Sequence, residues 1–142
     1  VLAIDASADA IDVARRNAAA LGCTNIDFVI GDWLQGIEGK RLAMIVGNPP
    51  YIAAADAHLD QGDLRFEPRS ALTPGDDALA AVRKIIVQAP AALADGGWLI
   101  LEHGHDQGPG VRELLTGHGF TEVFSDRDLA GHERITGGRM RH

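Results

Sequence analysis

The sequence predicts an α/β fold, with a mostly parallel sheet, helices between its strands and an antiparallel strand at one edge. Three observations carry this. Short apolar runs of strand length alternate with segments whose apolar residues recur at helical spacing. Nearly every strand-like run stops at a polar cluster holding glycine, proline or aspartate. The last two runs have no helix-length segment between them, so they are expected to pair antiparallel at an edge of the sheet.

The elements follow in order. Residues 1–4 are a short buried strand closed by Asp5. Ser7 is a good N-cap, Asp9 places negative charge in the first helical turn, and Ile11, Ala14, Ala18 and Leu21 share one helix face. Gly22 supplies the stop. A second strand over 26–30 ends in Gly31-Asp32-Trp33, and residues 36–41 are a polar loop. A third, buried strand over 42–47 runs into Asn48-Pro49-Pro50-Tyr51. Residues 53–75 form a long polar connection, of the length that serves as a functional lid or stays disordered. Asp77 or a neighbour then caps a helix carrying Leu79, Val82, Ile85, Ile86 and Leu93, which Pro90 should kink or divide. Gly96-Gly97 turn into a strand over 98–101 that ends at Glu102-His103-Gly104-His105. A helix over 107–118 with Val111, Leu114 and Leu115 inward precedes two closing strands, 120–124 and 135–140.

Composition bounds the function. The chain has 142 residues and 46% hydrophobic content, enough for one domain with a real core over residues 1–142. No apolar run approaches the roughly 20 residues that span a bilayer, so no membrane partner is expected, and the absence of a charged-then-apolar leader gives no expectation of secretion. A single cysteine, Cys23, fits a reducing, cytoplasmic setting and is expected to fill space rather than react. The net charge of −7, with 13 basic residues against 20 acids, argues against a tight nucleic-acid binder. The opening inside a strand, without methionine, reads as the C-terminal piece of a longer protein.

The candidate chemistry sits at strand ends, where open α/β sheets bind ligands. Both prolines of Asn48-Pro49-Pro50-Tyr51 lack an N–H and restrict the residue before them. The turn is therefore stiff, with free carbonyls and a fixed direction for the Asn48 side chain. An amide on such a turn, with an aromatic ring at Tyr51, suits a planar amide or amino group; an ordinary turn after a strand is the plainer alternative. Asp5 can accept bonds from ribose hydroxyls, although a capping aspartate would look the same. Asp32 can accept an exocyclic amine of adenine and Trp33 can offer a stacking face, or both can be plain structural residues. Together the three sites describe one crevice for an adenosine beside a planar nitrogen. His103 and His105 flank Gly104 without a third ligand at convincing spacing, so no metal is expected. Arg15, Arg16 and the basic tail of Arg139, Arg141 and His142 read as solvated.

These residues resemble the later motifs of S-adenosylmethionine-dependent methyltransferases of the Asn-Pro-Pro-Tyr type. The wider pattern is similar to the release-factor glutamine methyltransferases (the HemK/PrmC family). It comprises Asn48-Pro49-Pro50-Tyr51-Ile52, Gln61-Gly62-Asp63-Leu64-Arg65-Phe66-Glu67-Pro68, Ala71-Leu72 and Leu101-Glu102-His103-Gly104. The resemblance implies a Rossmann-like methyltransferase fold whose first strand and glycine-rich loop are missing here, a partial catalytic domain expected to be inactive by itself. It implies S-adenosylmethionine as cofactor, held by Asp5, Asp32, Trp33 and Asn48. It implies Asn48, Pro49, Pro50 and Tyr51 as the substrate site, with Asn48, Pro49 and Tyr51 catalytic. The implied partners are peptide chain release factors, with neither ribosome nor nucleic acid required. A methyltransferase acting on adenine amines of ribosomal RNA or DNA is the nearest alternative. A non-catalytic binding module or a nicotinamide-dependent Rossmann domain is a further alternative; Asp5 fits the latter, which gives the Asn-Pro-Pro-Tyr turn no task.

Overall fold

The computed structural model describes residues 1–55, 66 and 68–141. They divide into two units, Val1–Glu38 and Gly39–His142. In the first, strands β1 (Leu2–Asp5) and β2 (Asp27–Ile30) pair in parallel, Asp5 opposite Ile30, around helix α1 (Ala8–Ala20). The Ser7 side chain accepts the Ala10 N–H at 3.2 Å, so the expected N-cap is real. Ile11 and Ala18 are buried, but Leu21 is 79% exposed: the helix ends at Ala20, and Leu21 turns out of the apolar stripe. Gly22 follows at φ 68°, a conformation costly for any residue with a Cβ. Cys23, expected to fill space, is exposed, because it lies beyond that stop.

In the second unit β3 (Leu42–Gly47), β4 (Leu93–Glu102), β5 (Phe120–Arg127) and β6 (Glu133–Met140) form a sheet in the order β3-β4-β6-β5. β3 and β4 are parallel; β6 is antiparallel to both its neighbours. The closing hairpin thus stands at one end of the sheet as expected. Its antiparallel member, β6, is inserted one place in from the edge. Helix α3 (Ala80–Ala92) packs on β4, and α4 (Gly108–Gly117) packs on β5 and β6. The core includes Leu99 and Leu101 of β4 together with Val82, Ile86, Val111 and Leu115 of the helices, all at 0% exposure.

Pro90 does not divide α3, which runs through it to Ala92. Proline removes one N–H bond, and this one falls in the last turn, so little of the helix remains beyond it. Leu93, expected in that helix, is the first residue of β4 instead. Gly96, at φ 75°, lies within β4 at an irregular stretch, and the regular pairing with β3 begins at Trp98. The N-cap of α3 is Leu79, with no side-chain cap bond; Asp77, expected to cap, lies two residues ahead, its Oδ1 accepting the Leu79 N–H at 3.0 Å and its Oδ2 bonding Arg83. β3 is not buried on both faces: Ile45 is buried, whereas Met44 and Val46, which share the opposite face, are 51% and 70% exposed.

The long connection holds a short helix, α2 (Arg69–Leu72), with Pro68 at its start. It is tied to the segment after the proline turn by Ile52 N–H to Leu72 O and Ala54 N–H to Gly75 O, both 3.0 Å. Gln61, Gly62, Asp63, Leu64, Arg65 and Glu67, which carry part of the family resemblance, lie outside the described residues, as does His142. Arg139 and Arg141 are not free in solvent: both bond Glu122, and Arg139 also bonds the Gly96 carbonyl.

Candidate active site

In the first unit the parallel register places Asp5 and the Gly31-Asp32-Trp33 turn at one strand end, with Gly31 N–H donating to Asp5 O at 3.0 Å. Asp5 is exposed; its Oδ1 accepts the Ser7 N–H at 2.7 Å, and its Oδ2 makes no bond to another described residue. The carboxylate therefore both shapes the helix entry and keeps an acceptor facing water. Asp32 is exposed, and Trp33 is half-buried at φ 58°. Bulky side chains rarely occupy that region, so the indole is aimed by a constrained backbone.

In the second unit the chemistry is set by the parity of β4. Side chains alternate along a strand. Leu99, Leu101 and His103 share the buried phase, while Glu102 falls on the opposite side. Glu102 Oε1 accepts the Tyr51 hydroxyl at 3.2 Å. Partial burial, then the negative charge of Glu102, push the Tyr51 pKa above its ordinary value, with Arg134 opposing them. Tyr51 is thus a neutral donor across the physiological range.

Pro49 is fully buried and anchors the turn, Pro50 and Tyr51 are half-buried, and Asn48 is exposed. The Asn48 side chain makes no hydrogen bond to another described residue, so its carboxamide is presented outward from a fixed base. The Tyr51 carbonyl accepts Gln107 Nε2 at 2.9 Å, and Gln107 Oε1 accepts the Gly104 N–H at 2.9 Å.

His103 is fully buried with both ring nitrogens occupied. Nδ1 lies 2.8 Å from the Gly104 carbonyl and so carries a proton; Nε2 lies 2.7 Å from Thr136 Oγ1. Thr136 in turn meets Ser125, which receives a bond from Arg112, and Arg112 pairs with Glu133 at 2.8 Å. His105 instead packs edge-on against His132. The two histidines diverge, and among the described residues no cluster of three or more His, Cys, Asp or Glu side chains converges on a metal position.

Comparison with known proteins bears on this geometry. A family model described as "Methyltransferase small domain" matches residues 1–66. A release factor glutamine methyltransferase of Pseudomonas aeruginosa is 51% identical over 98% of this chain. Over nearly its whole length the chain is similar to proteins named release factor glutamine methyltransferase. Bacterial relatives of that name, among them those of Xylella fastidiosa and Vibrio cholerae, range from 52% to 44% identity. The chain spans about half the length of these curated relatives, 50% in the Pseudomonas case. The fold is the Rossmann-like methyltransferase fold. A methyltransferase of Pyrococcus furiosus superposes with a TM-score of 0.72 at 15% identity, covering 100% of this chain and 63% of that one. A release-factor-specific protein-(glutamine-N5) methyltransferase of Alicyclobacillus acidocaldarius superposes at 0.52 with 24% identity, covering 99% and 79%.

The structure brings the predicted residues together as two groups. Asp5, Asp32 and Trp33 share one strand end; Asn48, Pro49, Pro50 and Tyr51 share another with Glu102 and Gly104. Sequence reasoning missed Gln107 and Arg134. Gln107 lies three residues after Gly104, just before α4, where a helix-capping side chain is sought; glutamine is a poor cap, and it reaches back to the turn instead. Arg134 sits on β6, whose partner was invisible without the register.

Proposed function

We propose that this chain carries the site at which a methyl group passes from S-adenosylmethionine to the side-chain amide nitrogen of a glutamine in a peptide chain release factor, giving N5-methylglutamine. Residues 1–142 are then part of one catalytic domain acting in the cytoplasm, without metal. The observation that supports this most is the exposed Asn48 carboxamide, standing on a turn anchored by buried Pro49 and tied at Tyr51.

The cofactor, when bound, supplies an electrophilic methyl group on a sulfonium sulfur. Asp5, with one carboxylate oxygen still facing water, fits a ribose diol; Asp32 and Trp33 fit the amine and face of adenine. An amide nitrogen is a weak nucleophile because its lone pair is delocalised into the carbonyl. In this reading Asn48 Oδ1 and the Pro49 carbonyl accept the two N–H bonds of the incoming amide. That grip aims the nitrogen and favours its pyramidal form as the new bond grows. Orientation of this kind supplies several kcal/mol of a barrier, roughly 7–11 in the best intramolecular cases. Tyr51 packs on the amide face, its ring held by the Glu102 bond. No strong base is required, since the nitrogen becomes far more acidic once alkylated and loses its proton to water.

The test is methyl incorporation from labelled S-adenosylmethionine by the full-length protein, offered purified release factor or nucleic acid. Label in a glutamine of the release factor is expected. Label in RNA or DNA alone would instead establish a nucleic-acid amino-methyltransferase.

A further inference from the structure

The Asn48–Tyr51 turn has an unusual problem. Two consecutive residues, Pro49 and Pro50, have no N–H, so the turn cannot be pinned by its own donors there. Its first end is set by β3, where Gly47 pairs with Leu101. The far end needs a partner from elsewhere, and Gln107 is placed to provide one.

We propose that Gln107 is a positioning residue for amide methylation, fixing the direction of the Asn48–Tyr51 turn through its side-chain amide. The inference rests on reading that turn as the amide site. Gln107 uses both ends of its carboxamide, Nε2 donating to Tyr51 O and Oε1 accepting from Gly104 N–H, each at 2.9 Å. Its own backbone N–H donates to Gly104 O at 2.9 Å, so the side chain has little freedom to rotate away. Gly104 is part of the device: a Cβ there would lie 3.2 Å from Gln107 Cδ and Oε1 and 3.3 Å from Asp106 Oδ1. The Gly104 carbonyl is held in turn by buried His103, which is locked by Thr136. The turn is therefore referenced to the sheet through a continuous run of hydrogen bonds, and Gln107 is its last member.

The orientation of Gln107 is fixed by chemistry. Tyr51 O accepts only, and Gly104 N–H donates only, so the NH2 must face the former and the oxygen the latter. A carboxylate of the same shape satisfies Gly104 but sets oxygen against oxygen at Tyr51. Gln107→Glu thus removes the clamp while preserving size.

The experiment measures kcat, KM for release factor, S-adenosylmethionine affinity and the unfolding midpoint in full-length Gln107→Glu, with Asn48→Ala alongside. The expected result is a kcat lower by about 10- to 100-fold, the scale of a misplacement near 1 Å. Cofactor affinity should stay within about twofold of the parent. The variant-to-parent kcat ratio should also rise as pH falls toward the carboxyl range, where the introduced carboxylate regains a proton to donate. Unchanged kcat in folded Gln107→Glu overturns the proposal, as does a loss confined to the unfolding midpoint. If Gln107→Glu does not fold, Gly104→Ala decides: a comparable fall in kcat supports the clamp, and full activity overturns it. Retained turnover in Asn48→Ala would sink the amide-site reading itself. An inactive Asn48→Ala beside a fully active Gln107→Glu would reject only the role of Gln107.

Discussion

Tyr51 shows how one residue joins fold to chemistry. Its carbonyl is held by Gln107 and its hydroxyl donates to Glu102, so both ends of the residue are fixed. Tyr51→Phe keeps the ring but leaves the Glu102 oxygen without this donor, and a stability loss of about 1 kcal/mol is expected by chemical denaturation. The pH dependence has a definite sign. The folded pKa lies above the ordinary value of 10.0, so below that value the hydroxyl is protonated in both states and its contribution is complete. As pH rises further the unfolded chain loses the proton first, and stability falls until the folded hydroxyl titrates as well. The parent should therefore lose stability in this alkaline window more steeply than Tyr51→Phe. Asp5 makes a second residue-scale case. Its carboxylate serves Ser7 N–H with one oxygen, while Ser7 itself caps α1. Asp5→Ala in the full-length protein should weaken S-adenosylmethionine binding by about tenfold, the scale of one charge-assisted hydrogen bond. Titration calorimetry returning the parent affinity would leave Asp5 with its capping role alone.

At the scale of elements, β6 carries a tight demand. A Cβ at Gly137 would meet the Phe124 ring at 2.8 Å and the Leu99 carbonyl at 3.0 Å, a side chain and a backbone that cannot both retreat. Gly137→Ala should cost about 1–3 kcal/mol by equilibrium unfolding. A neutral result would mean that the hairpin shifts more freely than its pairing implies. The same elements show what the sequence could reveal. Helix α1, with its serine cap, acidic first turn and glycine stop, was legible because every signal is local. The parity that buries His103 with Leu99 and Leu101 was legible in principle, yet a histidine two residues from His105 reads first as half of a pair. What escaped was non-local. The insertion of β6 between β4 and β5, the edge position of β3, and the pairing of Arg139 and Arg141 with Glu122 all depend on which strands become neighbours. Pro90 escaped because the number of turns beyond it, rather than proline itself, decides whether a helix breaks.

For the molecule as a whole, the family pattern and the fold agree: a methyltransferase architecture in a chain matching release factor glutamine methyltransferases across 98% of its length. Of the strand-end residues chosen from sequence, Asp5, Asp32 and Asn48 are exposed, Trp33, Pro50 and Tyr51 are half-buried and Pro49 is buried. The supports behind them, Gln107 and Arg134, come from elements far along the chain and carry no motif of their own. No helix among the described residues is long and apolar enough to cross a membrane. The central claim is chemical: the Asn48 carboxamide, backed by the Pro49 carbonyl, holds the substrate amide for methyl transfer. Single-turnover methylation of release factor by full-length Asn48→Ala, with cofactor affinity measured on the same preparation, tests it most directly. The account predicts loss of nearly all methyl transfer with S-adenosylmethionine affinity little changed; transfer at the parent rate would contradict it.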